Sequence, residues 1–180
     1  MTEYRVPDPY LALPDLPLLE VNSESYAEGA TLTPAQLGGV MGVEGGADKS
    51  PQVSWSAGPE GTKSYAVTVF DPDAPTASGF WHWAVANIPA DVTSLPEGAC
   101  TAGDASGLPE GAVVLRNDAG FKGFVGAAPP AGHGPHRYIL AVHAVGDVIE
   151  LGDDASCAFL GFNLFGQGLA RGTTTALYEQ

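Results

Sequence analysis

Apolar residues fall along this chain in short blocks parted by glycine, proline and polar residues, a spacing that suits strands far better than helices. "SYAVTVFD" (64–71), "FWHWAVANIP" (80–89) and "HRYILAVHAV" (136–145) are the strongest blocks. "LPLLEVNS" (16–23), "QVSWS" (52–56), "GAVVLRND" (111–118) and "TTTALYE" (173–179) read as further strands. Period-2 alternation in the second block predicts Trp81, Trp83 and Val85 on one face and His82, Ala84 and Ala86 on the other. Only residues 154–172 read as a good helix. Asp154 is its candidate N-cap, Phe159, Phe162 and Leu169 lie near helical spacing, Arg171 sits in the last turn and Gly172 stops it. Gly161, Gly166 and Gly168 weaken that helix, each by about 1 kcal/mol against alanine, and suggest close approach to another backbone.

Composition turns this pattern into a fold class. A chain of 180 residues with 24 glycines and 15 prolines has the size of one domain with a sizeable core and many turns. The expectation is a single domain over 1–180, mostly β. Residues 1–17 carry Pro7, Pro9, Pro14 and Pro17 and read as an extended Pro-rich lead-in, packed across the domain or reaching to a partner subunit. The start of the chain has no basic segment followed by an apolar run, so neither a signal peptide nor a membrane span is expected. Cys100 and Cys157 fit neither a disulfide framework nor a metal spacing, and read as free thiols in a reducing cytoplasm.

Charge removes whole classes of partner. Seven basic residues against 21 acidic ones leave a formal charge of −14, which opposes a nucleic-acid backbone or an anionic membrane surface. Two phosphate-loop candidates fail on register. In "GPEGTKS" (58–64) Thr62 separates Gly61 from Lys63, and the dinucleotide reading of Gly166-x-Gly168 fails because the third glycine is misplaced and no strand precedes it.

The candidate chemistry gathers at strand ends. Asp71 and Asp73 in "VFDPDAPT" stop one strand, with Pro72 and Pro75 stiffening the backbone that carries them. His82 lies early in the next strand, and "HGPHRY" opens a third with His133, His136, Arg137 and Tyr138. Polar groups at strand mouths build pockets on a rigid scaffold. Taken singly, Asp-Pro is a turn signal, a histidine under strands is a satisfied core residue, and His133 is a loop residue.

"DPDAP" (71–75), the "WHW" strand and "PPAGHGPHRY" (129–138), in that order, resemble the phosphatidylethanolamine-binding protein family, in particular its bacterial Raf-kinase-inhibitor-like branch. "SPQVSW" (50–55), "HWAVANIP" and "LGFNLFG" extend the resemblance from about residue 30 to the C-terminus. The resemblance implies a β-sandwich of two antiparallel sheets, one main helix near the C-terminus, short peripheral helices, and a small anion pocket. Matched residue by residue, it implies ligand contacts from Asp71, Asp73, Pro75, His82, Pro129, Pro130, His136 and Tyr138. Arg137 points to the opposite face of its strand from His136 and Tyr138, which assigns it a structural ion pair. Mammalian members carry a C-terminal helix over the pocket, whereas this chain stops at Gln180 after a strand, so a more open pocket or a partner's cover is expected.

Two functions remain. The first is a non-enzymatic binding protein for phosphate or a phospholipid head group such as phosphoethanolamine, with a protein kinase or another protein as partner and homodimerisation through the arm or the helix. It has no catalytic residues, no cofactor and no metal. The second is a metal-assisted or acid/base hydrolase using the same Asp and His residues. It lacks the sequence context of a zinc helix or an activated serine.

Overall fold

The computed structural model describes residues 6–180, so the start of the Pro-rich lead-in (1–5) lies outside the described residues. The elements are β1 (Val21–Asn22), β2 (Val53–Trp55), β3 (Ser64–Asp71), β4 (Phe80–Pro89), β5 (Ser94–Leu95), β6 (Val113–Val114), β7 (His136–Val145), α1 (Cys157–Gln167) and β8 (Gly168–Tyr178). Short 3-10 turns occupy Pro9–Ala12, Pro34–Gln36 and Gly39–Met41.

Two antiparallel sheets form, one of three strands in the order β1-β2-β5 and one of five in the order β6-β4-β3-β7-β8. The main core lies between them. Val53, Trp55 and Leu95 of the small sheet meet Tyr65, Val67, Trp83, Val85, Leu140 and Val142 of the large one. The outer face of the large sheet is covered by α1, where Cys157, Leu160 and Leu164 pack on Ala66, Ala84, Ala86 and Val145. The otherwise open edge at β8 is covered by the chain at 17–19 and 30–32, whose backbone bonds reach Arg171 and Leu177. That cover removes the aggregation hazard of a long unpaired strand.

The lead-in is not extended throughout. Asp8 accepts a hydrogen bond from the Tyr10 amide at 2.9 Å and starts the 3-10 turn, after which the segment runs over the outer face of the large sheet. Its polar attachments run from the Arg171 guanidinium to the carbonyls of Tyr10 and Pro14, from Arg137 to the Val6 carbonyl, and between the hydroxyls of Tyr10 and Thr68.

The helix is shorter than its sequence pattern. Ser156, not Asp154, is the N-cap, accepting from the Phe159 amide at 3.1 Å, and Gly168 already belongs to β8. Leu169, Arg171 and Gly172 are strand residues, because β7 offers ladder partners from Gly168 to Tyr178 and tertiary pairing outweighs helical propensity. The buried stripe is Cys157, Leu160 and Leu164, while Phe159, Phe162 and Phe165 face outward. A Cβ at Gly161 or Gly166 would meet nothing within 4 Å, so close backbone approach does not explain these two glycines.

Alternation along β4 is broken by a bulge. Trp83 pairs with Val69 and Trp81 with Phe70, leaving His82 as an extra residue. A bulge shifts the side-chain phase by one. Trp81 therefore packs with Ala84 and Ala86 on the helix side, its ring centre 4.4 Å from that of Phe70 and tilted by 39°, whereas Trp83 and Val85 face the inter-sheet core. The expected grouping of Trp81 with Trp83, and of His82 with Ala84, is overturned for that reason.

Both cysteines are free and buried, and burial pushes their thiols up to about 11 for Cys100 and about 12 for Cys157. Among the described residues no helix is long and apolar enough to cross a membrane.

Candidate functional site

At one end of the inter-sheet core, the end of β3 and the starts of β4 and β7 lie around a cavity of about 220 Å³. Asp71, Pro75, His82, Pro129, Pro130, His136 and Tyr138 line it, with Phe80, Val125 and Gly126 among the remaining walls. Seven of the eight residues singled out from the sequence thus share one cavity. Asp73 is placed elsewhere.

The turn after β3 parts the two acids, which strand alternation alone would place on one face. Asp71 ends β3 on the core-facing side and its Oδ2 lies 2.7 Å from His136 Nδ1, with both side chains almost wholly buried. Its other oxygen accepts from the Asp73 amide at 2.8 Å, which orients the hairpin that follows. The Asp73 carboxylate turns to Arg137 and accepts from Nε at 2.8 Å, from NH2 at 2.7 Å and from the Arg137 amide at 2.9 Å. The guanidinium faces away from His136 and Tyr138, and the pairing fixes the hairpin to β7. Gly79 closes that hairpin at φ +66, where any Cβ would lie 2.4 Å from the Phe70 ring.

The bulge sends His82 into the cavity. Its Nδ1 lies 2.8 Å from the Val125 carbonyl, an oxygen that can only accept, so the proton sits on Nδ1. Burial pushes the His82 pKa below the usual imidazole range, against the raising effects of the Val125 carbonyl and Asp71. The neutral ring then presents Nε2 as a lone pair, and protonation converts it into a donor. The Tyr138 ring stands edge-on at 5.1 Å from His82. The Tyr138 hydroxyl is buried with no hydrogen-bond partner among the described residues, and burial raises its pKa, so it stays protonated. His136 is engaged on both nitrogens, by Asp71 and by His133 Nδ1 at 2.8 Å. His133, read from the sequence as an ordinary loop residue, is thus the outer member of an Asp71–His136–His133 chain.

A second supporting residue escaped sequence reasoning. Asp48 is buried and accepts from the amides of Gly126 at 2.8 Å and Val40 at 2.9 Å, locking the 39–48 loop to the Val125–Ala128 wall. It adopts a positive φ of 49, a conformation aspartate tolerates, within the glycine-rich "GGADKSP" stretch, where the residues alone show only a loop. Gly38 and Gly126 come so close that a Cβ on Gly126 would lie 2.2 Å from the Leu37 carbonyl carbon. Among the described residues no group of three or more His, Cys, Asp or Glu is arranged to hold a metal ion.

A family model described as phosphatidylethanolamine-binding protein matches residues 22–179. The chain belongs to the phosphatidylethanolamine-binding protein family. Within it the chain is 47% identical to the UPF0098 protein YbcL of Escherichia coli over 161 residues, covering 89% of this chain and 87% of that one. It is 41% identical to the E. coli UPF0098 protein YbhB over 89% of this chain and all of that one. The crystal structure of E. coli YbcL matches the fold with a TM-score of 0.86 at 45% identity, covering 90% of this chain and 98% of that chain. Both the family and the mostly β, two-sheet architecture agree with the reading of the motifs.

Proposed function

We propose that this family member is a binding protein whose Asp71–His82–His136–Tyr138 cavity takes a small phosphate-bearing anion, either free phosphate or a head group such as phosphoethanolamine, and performs no chemistry on it. The observation that carries this reading is the buried, unpartnered hydroxyl of Tyr138 beside a histidine whose outward nitrogen is uncommitted. A buried hydroxyl without a partner costs on the order of 1–3 kcal/mol, and an anion oxygen would recover that cost. The two acids do not oppose such a ligand. Asp71 is held by His136 and Asp73 by Arg137, so each negative charge faces its own partner. Phe80, 4.8 Å from the His82 ring, supplies a π face for an ethanolammonium group. The free thiols of Cys100 and Cys157 support a reducing compartment, and we place the protein in the cytoplasm on that ground.

The hydrolase reading finds less support. His136 has both ring nitrogens occupied and Asp73 is clamped by a guanidinium, which leaves no free carboxylate–histidine pair to activate water.

Calorimetric titration of the wild type with phosphate, phosphoethanolamine and acetate tests the proposal, alongside Tyr138→Phe and His82→Ala. Tyr138→Phe is expected to weaken phosphate about tenfold, one charge-assisted hydrogen bond's worth, without loss of fold. Because His82 Nδ1–H is already used on Val125, donation to the anion requires a proton on Nε2. Affinity should therefore fall as pH rises from 5 to 8, by up to about tenfold per unit. Flat affinity across that range, or unchanged binding in both variants, would overturn the reading.

A further inference from the structure

On the opposite face of the large sheet, unrelated to the anion cavity, lies a second cavity of about 290 Å³. Sheet residues, including Thr68, Trp81, His143 and Arg171, form its floor, the 9–16 arm its roof and α1 its side wall. Most of its lining is apolar; the hydroxyls of Tyr10 and Thr68 bond to each other at 3.3 Å, which leaves His143 and Arg171 as the polar groups to account for.

His143 is 4% exposed, its ring centre lies 6.2 Å from that of Tyr10, and its imidazole makes no hydrogen bond among the described residues. Arg171 stands directly across from it in the β7–β8 register. The guanidinium makes only long hydrogen bonds, at 3.3 and 3.4 Å, to arm carbonyls and lies 5.7 Å from the Tyr10 ring centre. No carboxylate pairs with it among the described residues, although acids outnumber bases three to one in the chain. A cation with no carboxylate and an imidazole with no hydrogen bond among the described residues, side by side in a largely apolar cavity, form the recognition pattern for one carboxylate on an apolar body.

The helix leaves the room for that body. Gly161 borders the cavity, and a Cβ there would meet nothing within 4 Å, so this helical glycine is neither a close-packing position nor a cap. At about 30 Å³ per water-sized group, the volume holds roughly ten heavy atoms. From these features we infer that the cavity between the arm, α1 and the outer sheet face binds a medium-chain aliphatic monocarboxylate, its carboxylate on Arg171 and His143 and its chain against Trp81, Leu164 and Gly161. The neutral imidazole contributes one N–H donor, Arg171 the charge, and the arm closes over the ligand through the same guanidinium.

Octanoate is a probe of matching size, with 1-octanol and octylamine as neutral and cationic counterparts. Each is titrated calorimetrically, below its micelle concentration, into the full chain. Octanoate should saturate at one per chain and bind at least about tenfold tighter than either counterpart. Gly161→Leu sends a side chain into the cavity from a position where the Cβ meets nothing within 4 Å. It should abolish saturable octanoate binding while the melting temperature holds or rises and phosphate titration is unaltered. Arg171→Gln should reduce octanoate to the level of octanol. Should that variant fail to fold, the wild-type comparison of the three head groups decides. The inference is overturned if octanoate does not saturate, if octanol binds equally well, or if Gly161→Leu leaves octanoate binding unchanged, which would locate binding outside the cavity, on the exposed Phe159 and Phe162 surface.

Discussion

Asp71 and Asp73, two residues apart, have separate tasks because of what each carboxylate meets. Asp71 is 3% exposed and holds His136 on one oxygen and the Asp73 amide on the other. Removing it strands two buried donors. Asp71→Ala should therefore lower unfolding stability by on the order of 3 kcal/mol, read from urea midpoints. Asp71→Asn, which keeps an acceptor for the Asp73 amide, should lose clearly less. Equal losses in the two variants would show that the hydrogen bonds are not what Asp71 supplies.

At the scale of elements, the site is built by irregularities rather than by regular strands. The bulge in β4 turns His82 away from Ala84 and towards Tyr138, and with it moves Trp81 to the helix side of the sheet. The wall at Val125–Ala128 has little secondary structure of its own and is held by the 36–48 loop, through Asp48 and the paired backbones of Leu37 and Ala127. Asp48→Ala should cost about 2 kcal/mol through two orphaned amides and weaken phosphate, although Asp48 does not line the cavity. Asp48→Asn, which tolerates the same positive φ and keeps one acceptor, should fall between. Phosphate affinity in Asp48→Ala equal to wild type would show that the wall stands without this tie.

For the whole molecule, two buried histidines set an acid limit. Burial lowers His82, and burial together with the nearby Arg171 lowers His143 to about 3. Both are charged more readily in the unfolded chain, whose imidazoles titrate near 6.5. The unfolded state then binds the extra protons, so stability is full above pH about 6.5 and is lost as pH falls towards the folded values. Each such histidine contributes a slope of at most about 1.4 kcal/mol per pH unit. Urea midpoints from pH 7 to 4 should fall, and His143→Leu should remove one proton's share of that slope. An unaltered slope in that variant would mean that His143 is already protonated in the folded protein.

Much of this was legible in the residues. The blocks at 64–71, 80–89 and 136–145 coincide with β3, β4 and β7, because alternation and β-branched content are local properties that each strand carries itself. Parity along β7 likewise separated Arg137 from His136 and Tyr138, and the paired motifs located the cavity. Only the tertiary structure decided where alternation fails. The extra residue at His82, the early start of β8 at Gly168 and the outward turn of Phe159 and Phe162 depend on which strand or helix lies opposite. The tie from Asp48 to Gly126 joins residues 78 apart in sequence, and the second cavity exists only where the arm, α1 and the sheet meet. A pattern read along the chain reports each segment's own preference, while these features are properties of contacts between segments distant in sequence.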